Sequence, residues 1–379
     1  MATGTETQRT TTGAPEPTIK ESRGWLWSLL IGLLILGSVA TIPLFGDAAT
    51  MHTWTLIVMY IVLAQGWNFI GGFTGYSAFG NVAFFGIGAY ATGLLLQERQ
   101  SFLLGLLVSA VVAGLFALLI GLPVLRLKGH YFAIATLGTA EALRELTTVR
   151  DIGGGGGGLM SLPPPTGVDI DIISFYAFLG LSLLCLLVTT WLTRSRFGYA
   201  LVAIRESEQA AEALGIPTYR YKVAAFMLSA VPTALAGGLY AYWTIAFDPP
   251  TVYSVSITVE MVLLCTLGST GTILGPVLAA IVFELLSHEL QISGFSQHNT
   301  LLGLSIALVA LFLPQGILRF FQAFTRGSTV TEREAIRAAS VTEGPRRVRY
   351  FTATRRAIRA FSFMEGVRRV RRFIAANGI

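Results

Sequence analysis

Lysine is scarce in this chain of 379 residues: only Lys20, Lys128 and Lys222 occur, and none follows a glycine. A phosphate-binding loop of the form G-x-x-x-x-G-K-[ST] needs its lysine to bridge the nucleotide phosphates, so a nucleotidase of that type is excluded. Charge of either sign is sparse too, at 13% of residues, against roughly 25% in soluble domains. The 2 cysteines, Cys185 and Cys265, both fall inside apolar runs. They read as small core residues, not as a disulfide or a metal site. The histidines His52, His130, His288 and His298 have no metal-ligand spacing, and no G-x-S-x-G nucleophile elbow occurs. These absences argue against an enzyme and imply no cofactor.

What is abundant is apolar sequence, 53% of the chain. Runs of about 18 residues or more recur, and each is long enough to cross a bilayer as a helix. The expected fold class is therefore all-α, a polytopic helical membrane protein with about ten transmembrane segments. The spans read as Trp25–Phe45, Thr55–Phe69, Asn81–Leu96, Phe102–Leu125, a weaker Tyr131–Leu146, and Ile172–Leu192. Val223–Phe247, Val255–Leu267, Ile273–Leu286 and Leu301–Leu318 follow. Residues 1–24 are expected to be a disordered tail, 25–320 the membrane domain and 321–379 a basic tail.

Orientation follows from the distribution of Lys and Arg, which favour the cytoplasmic side. With the N-terminus inside, the inner segments carry Arg9, Lys20, Arg23, Arg126, Lys128, Arg194, Arg196, Arg205, Arg220, Lys222 and the tail from Arg319 to Arg372. The outer segments keep Arg99 and Arg150, while Gly46–Thr53, Asp248–Ser254 and Ser287–Asn299 carry none. The expected topology is N-in and C-in. The net charge of +6 lies mostly in the tail, which argues for membrane lipid and against nucleic acid as its partner. There Phe363, Val367, Val370 and Ile374 form one helical stripe beside Arg368, Arg369, Arg371 and Arg372, suited to an anionic inner leaflet. A disordered basic tail is the other reading.

Ionisable residues inside spans are costly and often functional. Glu141, Glu260 and Glu284 qualify, and Arg144 stands three residues beyond Glu141, in reach of an ion pair. The alternative is that each reaches headgroups or water at a helix end. No ladder of acids runs through the chain, which weakens a proton-driven carrier. The outer connection holds a glycine run, Gly153–Gly158, before Pro163–Pro165, expected as a flexible loop.

Two glycine-rich breaks share G-x-T-G: Gly72-Phe73-Thr74-Gly75 and Gly268-Ser269-Thr270-Gly271. Interrupted hydrophobic segments in two halves of a membrane protein point to a translocation route. Candidate route residues are Gly72, Thr74, Gly75, Ser77, Asn81, Gly268, Ser269, Thr270 and Gly271. Ordinary tight turns are the plain alternative. Gly80, Gly86, Gly88 and Gly93, with Ala89 and Ala91, offer small faces for close helix packing.

Between two long apolar runs lies a charged, alanine-rich segment, Arg205–Gly215. Ser207 is a suitable N-cap, Glu208 and Gln209 suit the first turn, Gly215 suits the C′ position and Pro217 ends the helix. Glu208 and Glu212 are like charges four apart, a small penalty that suggests an outside partner. A short, smooth cytoplasmic helix of this kind suits docking in a cleft, through Arg205, Glu206, Glu208, Gln209, Ala210, Ala211, Glu212 and Gly215; a solvated interfacial helix with no partner is the other reading.

Gln209-Ala210-Ala211-Glu212-Ala213-Leu214-Gly215 resembles the E-A-A-x-x-x-G coupling loop of ABC-importer permeases, with Gln in place of the first Glu. Leu125–Leu137, reading LRLKGHYFAIATL, is similar to a stretch of the branched-chain amino acid permease family, in its M-type subunit. So are Gly75–Asn81, Ser195–Ala200, Ala203–Glu206, Leu267–Val277 and Leu313-Pro314-Gln315-Gly316. Asn81 stands where that family often has His or Gln, and the glycine run lacks the family's Thr. The resemblance covers roughly 25–320. It implies the permease domain of an ATP-driven importer in the cell inner membrane, for branched-chain or related amino acids, urea or small organic acids. It also implies a homologous permease subunit, two separate ATP-binding subunits and an external solute-binding protein as partners. A stand-alone channel or carrier, or a scaffold acting through its basic tail, are the competing readings.

Overall fold

The computed structural model describes residues 24–44, 47–150, 152–160 and 169–292. The expected last span Leu301–Leu318, both terminal tails and Pro163–Pro165 lie outside the described residues. The helices run α1 Gly24–Val39, α2 Ala48–Trp67, α3 Val82–Gln97, α4 Phe102–Val124, α5 His130–Val149 and α6 Ile170–Leu192. They continue with α7 Arg196–Glu206, α8 Glu208–Ala213, α9 Thr218–Thr244, α10 Pro249–Val252, α11 Val255–Gly268 and α12 Gly275–Ile292. A π-helical turn, Asn68–Gly72, extends α2.

Among the described residues, 5 helical stretches are long and apolar enough to cross a membrane: Ala49–Gly72, Phe102–Val124, Ile170–Leu192, Thr218–Thr244 and Pro249–Gly268. Leu26–Val39 and Val82–Gln97 are shorter apolar helices. Helices dominate because apolar surroundings leave backbone N–H and C=O groups no partner outside the segment itself. Local caps set several ends. Asp47 accepts from Thr50 N at 3.2 Å and starts α2 earlier than its apolar run alone would. Ser101 accepts from Leu104 N at 3.3 Å and starts α4 where the apolar run begins.

The core is built around α9, which packs against α3 and α4 on one side and against α2 and α6 on the other. Small residues let these backbones approach: a Cβ on Gly88 would strike the Ala234 carbonyl, and one on Gly237 the Phe85 carbonyl. α3 is buried along most of its length, with Val82, Phe84, Phe85, Ala89 and Tyr90 in the core. α4 instead leaves Leu103, Leu107, Leu115 and Leu119 exposed, the face expected to meet lipid acyl chains.

The glycine run does more than loop. It leads into a short antiparallel pairing of β1 Leu159–Met160 with β2 Ala246–Phe247. α5 forms as expected but is the most polar long helix, with Glu141 and Glu145 both paired to Arg144. Glu260 and Glu284 are half-buried on α11 and α12.

Candidate functional site

The first break opens at the end of α2. The π turn places Asn68 fully inside the protein, and regular helix stops at Thr74, whose hydroxyl donates to the Ile70 carbonyl at 2.6 Å. Residues 75–81 are then non-helical. Their backbone is satisfied by neighbouring helices. Trp67 Nε1 donates to the Ala78 carbonyl at 2.8 Å, and Phe79 N donates to Thr136 Oγ1 of α5 at 3.1 Å. Val82 N donates to Thr258 Oγ1 of α11 at 3.1 Å. Asn81 is fully buried and donates to Ser229 Oγ of α9 at 2.7 Å, while its Oδ1 has no hydrogen-bond partner. Irregular backbone among apolar helices survives only with such partners.

The second break, between α11 and α12, is closed by α2. Asn68 Oδ1 accepts from Gly271 N at 2.8 Å and from Cys265 Sγ at 3.3 Å, and Asn68 Nδ2 donates to the Thr272 carbonyl at 3.1 Å. One turn earlier, Gln65 donates to the Ile273 carbonyl at 3.2 Å and accepts from Thr189 Oγ1 at 2.7 Å. Thr272 Oγ1 donates to the Ser269 carbonyl at 2.7 Å and accepts from Gly275 N at 3.2 Å. The two breaks meet here: a Cβ on Gly72 would lie 2.7 Å from Gly271 N. Of the candidate route residues, Gly72, Thr74, Asn81, Gly268 and Ser269 are buried, Thr270 and Gly271 half-buried, and Gly75 and Ser77 exposed.

The charged segment differs from a single helix over Arg205–Gly215. The chain turns at Ser207 (φ −162°, ψ 110°), so Arg205 and Glu206 end α7 and only Glu208–Ala213 form α8. The capping is local and as expected. Ser207 Oγ accepts from Ala210 N at 3.3 Å, and Gly215 takes φ +82°, a left-handed value that glycine adopts without strain.

The like-charge pair needs no outside partner. Glu212 accepts from Thr218 Oγ1 at 2.8 Å. Glu208 accepts from Lys222 Nζ at 2.7 Å and from the Tyr76 hydroxyl at 2.6 Å. Burial pushes the Glu208 carboxyl up, but the hydrogen bonds from Lys222 and Tyr76 and the charges of Lys222 and Lys128 outweigh it and hold it below its usual range. Ala211 is also not on an outer face. It is 1% exposed and packs inward, whereas Gln209, Ala210, Ala213 and Leu214 point outward.

Arg205 joins this segment to both breaks. Its Nη1 donates to the Gly72 carbonyl at 2.9 Å, and a Cβ on Gly271 would come within 2.7 Å of the same nitrogen. Of the residues that make these connections, Gly72, Thr74, Asn81, Arg205, Glu208, Glu212 and Gly271 were singled out from sequence as candidates. For Lys222 and Asn68 a signal existed, since each is a polar residue in or beside a long apolar run. Tyr76 and Thr136 lie in stretches that carry the family resemblance, Gly75–Asn81 and Leu125–Leu137, whereas nothing local marks Gln65, Ser229 and Thr258.

Residues 50–313 match the family model described as the branched-chain amino acid transport system / permease component. The chain is 32% identical over 322 residues to the high-affinity branched-chain amino acid transport system permease protein LivM of Escherichia coli (strain K12), covering 76% of this chain and 74% of the relative. It is 31% identical to the protein of the same name from Salmonella typhimurium, with the same coverage. It is 29% identical over 208 residues to the autoinducer 2 import system permease protein LsrC of Salmonella typhi, covering 52% of this chain and 57% of that one. No solved structure matches the chain. By the extent of the family match and the identity to these relatives, the chain belongs to the permease component family of branched-chain amino acid transport systems.

Proposed function

We propose that the chain is one permease subunit of an ATP-driven importer for branched-chain or related amino acids, and that it forms half of the translocation route. In this reading about ten helices span the inner membrane with both termini in the cytoplasm. Its partners are a homologous permease, two ATP-binding subunits and an external solute-binding protein. The sorting of Lys and Arg onto one side supports the topology. The single observation that carries the coupling is Arg205, whose guanidinium reaches the Gly72 carbonyl at 2.9 Å and lies against Gly271. The segment that would meet an ATPase is thereby in contact with the two breaks that would move.

The route residues are Thr74, Ser77 and Asn81 after the first break, with Ser269 and Thr270 at the second. Non-helical backbone at 75–81 and exposed Ser77 suit a border to water. α5 supports the same side, because Glu145 is well exposed and Glu141 and Arg144 partly so, an expensive set of groups to present to lipid. The docking surface for the ATPase is the outer face of α8, with Leu214 80% exposed at its end.

Single cysteines at Thr74, Ser77, Asn81, Ser269 and Thr270 in the assembled transporter test the route. A small hydrophilic thiol reagent should modify Ser77→Cys, and ATP should change the modification at several of the five. Inertness of all five with and without ATP would sink the route. Leu214→Glu should lose the ATPase subunit on purification and lose ATP-driven leucine uptake. Normal association and normal uptake would reduce α8 to a solvated connector.

A further inference from the structure

Lys222 is 3% exposed, close to the start of α9. An ammonium has three protons to donate and no lone pair to accept with. All have acceptors here: Glu208 Oε1 at 2.7 Å, the Tyr76 hydroxyl at 3.0 Å and the Leu125 carbonyl at 3.3 Å. The Tyr76 hydroxyl accepts from Lys222 and donates to Glu208 Oε2 at 2.6 Å, which closes a triangle. Lys222 Nζ also lies 4.7 Å from the centroid of the Tyr76 ring. The Tyr76 ring meets Phe132 of α5 edge-on at 5.2 Å.

These groups come from four separate parts of the fold. Glu208 is the first residue of α8, Lys222 belongs to α9, Leu125 ends α4, and Tyr76 stands on the non-helical stretch 75–81. Three residues before Glu208, Arg205 grips the carbonyl of Gly72. The segment around Ser207 is therefore tied twice to the first break, by Arg205 at Gly72 and by Glu208 at Tyr76. Lys222 anchors the second tie to the body of the bundle. A pair whose lysine is buried, with every ammonium proton satisfied, resists gradual stretching, because separating it leaves that ammonium unpaired in the interior. It transmits a displacement or it breaks.

We propose that Glu208, Lys222 and Tyr76 act as a positioning triad that converts movement of α8 into movement of the stretch 75–81 that leads into α3. This rests on the reading of α8 as the ATPase docking helix. None of the three need touch the solute; they act through the backbone of 75–81. Removing the triad should leave docking intact and lower the work obtained from each hydrolysis event.

The test uses the complete transporter in proteoliposomes and reads solute moved per ATP hydrolysed. Tyr76→Phe deletes one hydroxyl and keeps the ring against Phe132. Lys222→Met keeps length and loses the charge. In Lys222→Met the ratio should fall about tenfold or more, as expected when a charge-assisted contact made during the working step is lost. Tyr76→Phe should lower it by a smaller factor, and both should keep the ATPase bound. The exchange Glu208→Lys with Lys222→Glu should recover part of the ratio. A parallel fall of uptake and hydrolysis, with the ratio unchanged in Tyr76→Phe and Lys222→Met, means a structural role only and overturns the triad. If Lys222→Met fails to assemble, Tyr76→Phe and the exchange decide alone. Loss of the ATPase in Leu214→Glu with an unchanged ratio in Tyr76→Phe removes the triad and keeps the docking. Normal association in Leu214→Glu removes the docking reading itself.

Discussion

The stretches beginning at Gly72 and at Gly268 share the pattern G-x-T-G, yet their neighbours finish them in opposite ways. Beyond Thr74 the backbone is non-helical over residues 75–81, and α5, α9 and α11 each supply a side chain to it or to its end at Val82. After Gly268 the backbone is non-helical over residues 269–274 before α12 begins, and it is held by its own Thr272 and from one side by Gln65 and Asn68. The first stretch is held by side chains of three different helices. The second is clamped chiefly by the end of α2. A stretch held by several helices can shift when any of them shifts, whereas the clamped one moves with α2. The shared pattern therefore marks where helix must stop, and the partners decide what the stop is for.

The largest expected effect joins the two regions. Gly72→Val forces a side chain against Asn68 and toward Gly271 N, 2.7 Å from the new Cβ. A destabilisation of about 3 kcal/mol is expected, at the upper end for overpacking, read as a drop in thermal stability of the purified subunit together with lost uptake. Wild-type stability would mean that the breaks are not in contact in the membrane.

Asn68→Leu is directed at the clamp. It strips Gly271 N and the Thr272 carbonyl of their partner, at about 2 kcal/mol for groups left unsatisfied. Thermal stability should fall, while modification of a cysteine at Ser77 should stay as in the parent. A matching change at Ser77 would show the two breaks to be a single unit and dissolve the comparison.

The smallest pair sharpens it. Thr136→Val removes the acceptor for Phe79 N, and Thr272→Val removes the local cap on Gly275 N, each worth about 1 kcal/mol. At similar cost, Thr136→Val should raise modification at Ser77 and lower uptake, and Thr272→Val should do neither. Equal behaviour in both variants would place the two breaks in the same functional class.

Much of the architecture was legible because it is local or one-dimensional. A long apolar run surrounded by apolar groups has one good solution for its backbone hydrogen bonds, so the helices lie close to where hydropathy puts them. The ends of α8 follow from neighbouring residues alone: Ser207 accepts from Ala210 N, and Gly215 takes the left-handed conformation before Pro217. The break within Arg205–Gly215 was not legible, because nothing in that composition says the chain must bend at Ser207 to send Arg205 one way and Glu208 another. For the same reason Glu208 and Glu212 suggested an outside partner, when Lys222 and Thr218 satisfy them from within.

By itself, then, the sequence determined the membrane helices, the family, the capped helix and the two places where helix is interrupted, since each depends on residues within a turn or on a run of one character. Only the tertiary structure decided that Gly72 meets Gly271, that Asn81 faces Ser229 and that Lys222 reaches Tyr76. These pairs lie far apart along the chain, and a hydrogen bond forms only when folding brings donor and acceptor to about 3 Å. Which helices stand side by side is set by the close approach of small faces such as Gly88 on Ala234, and no segment encodes that choice alone.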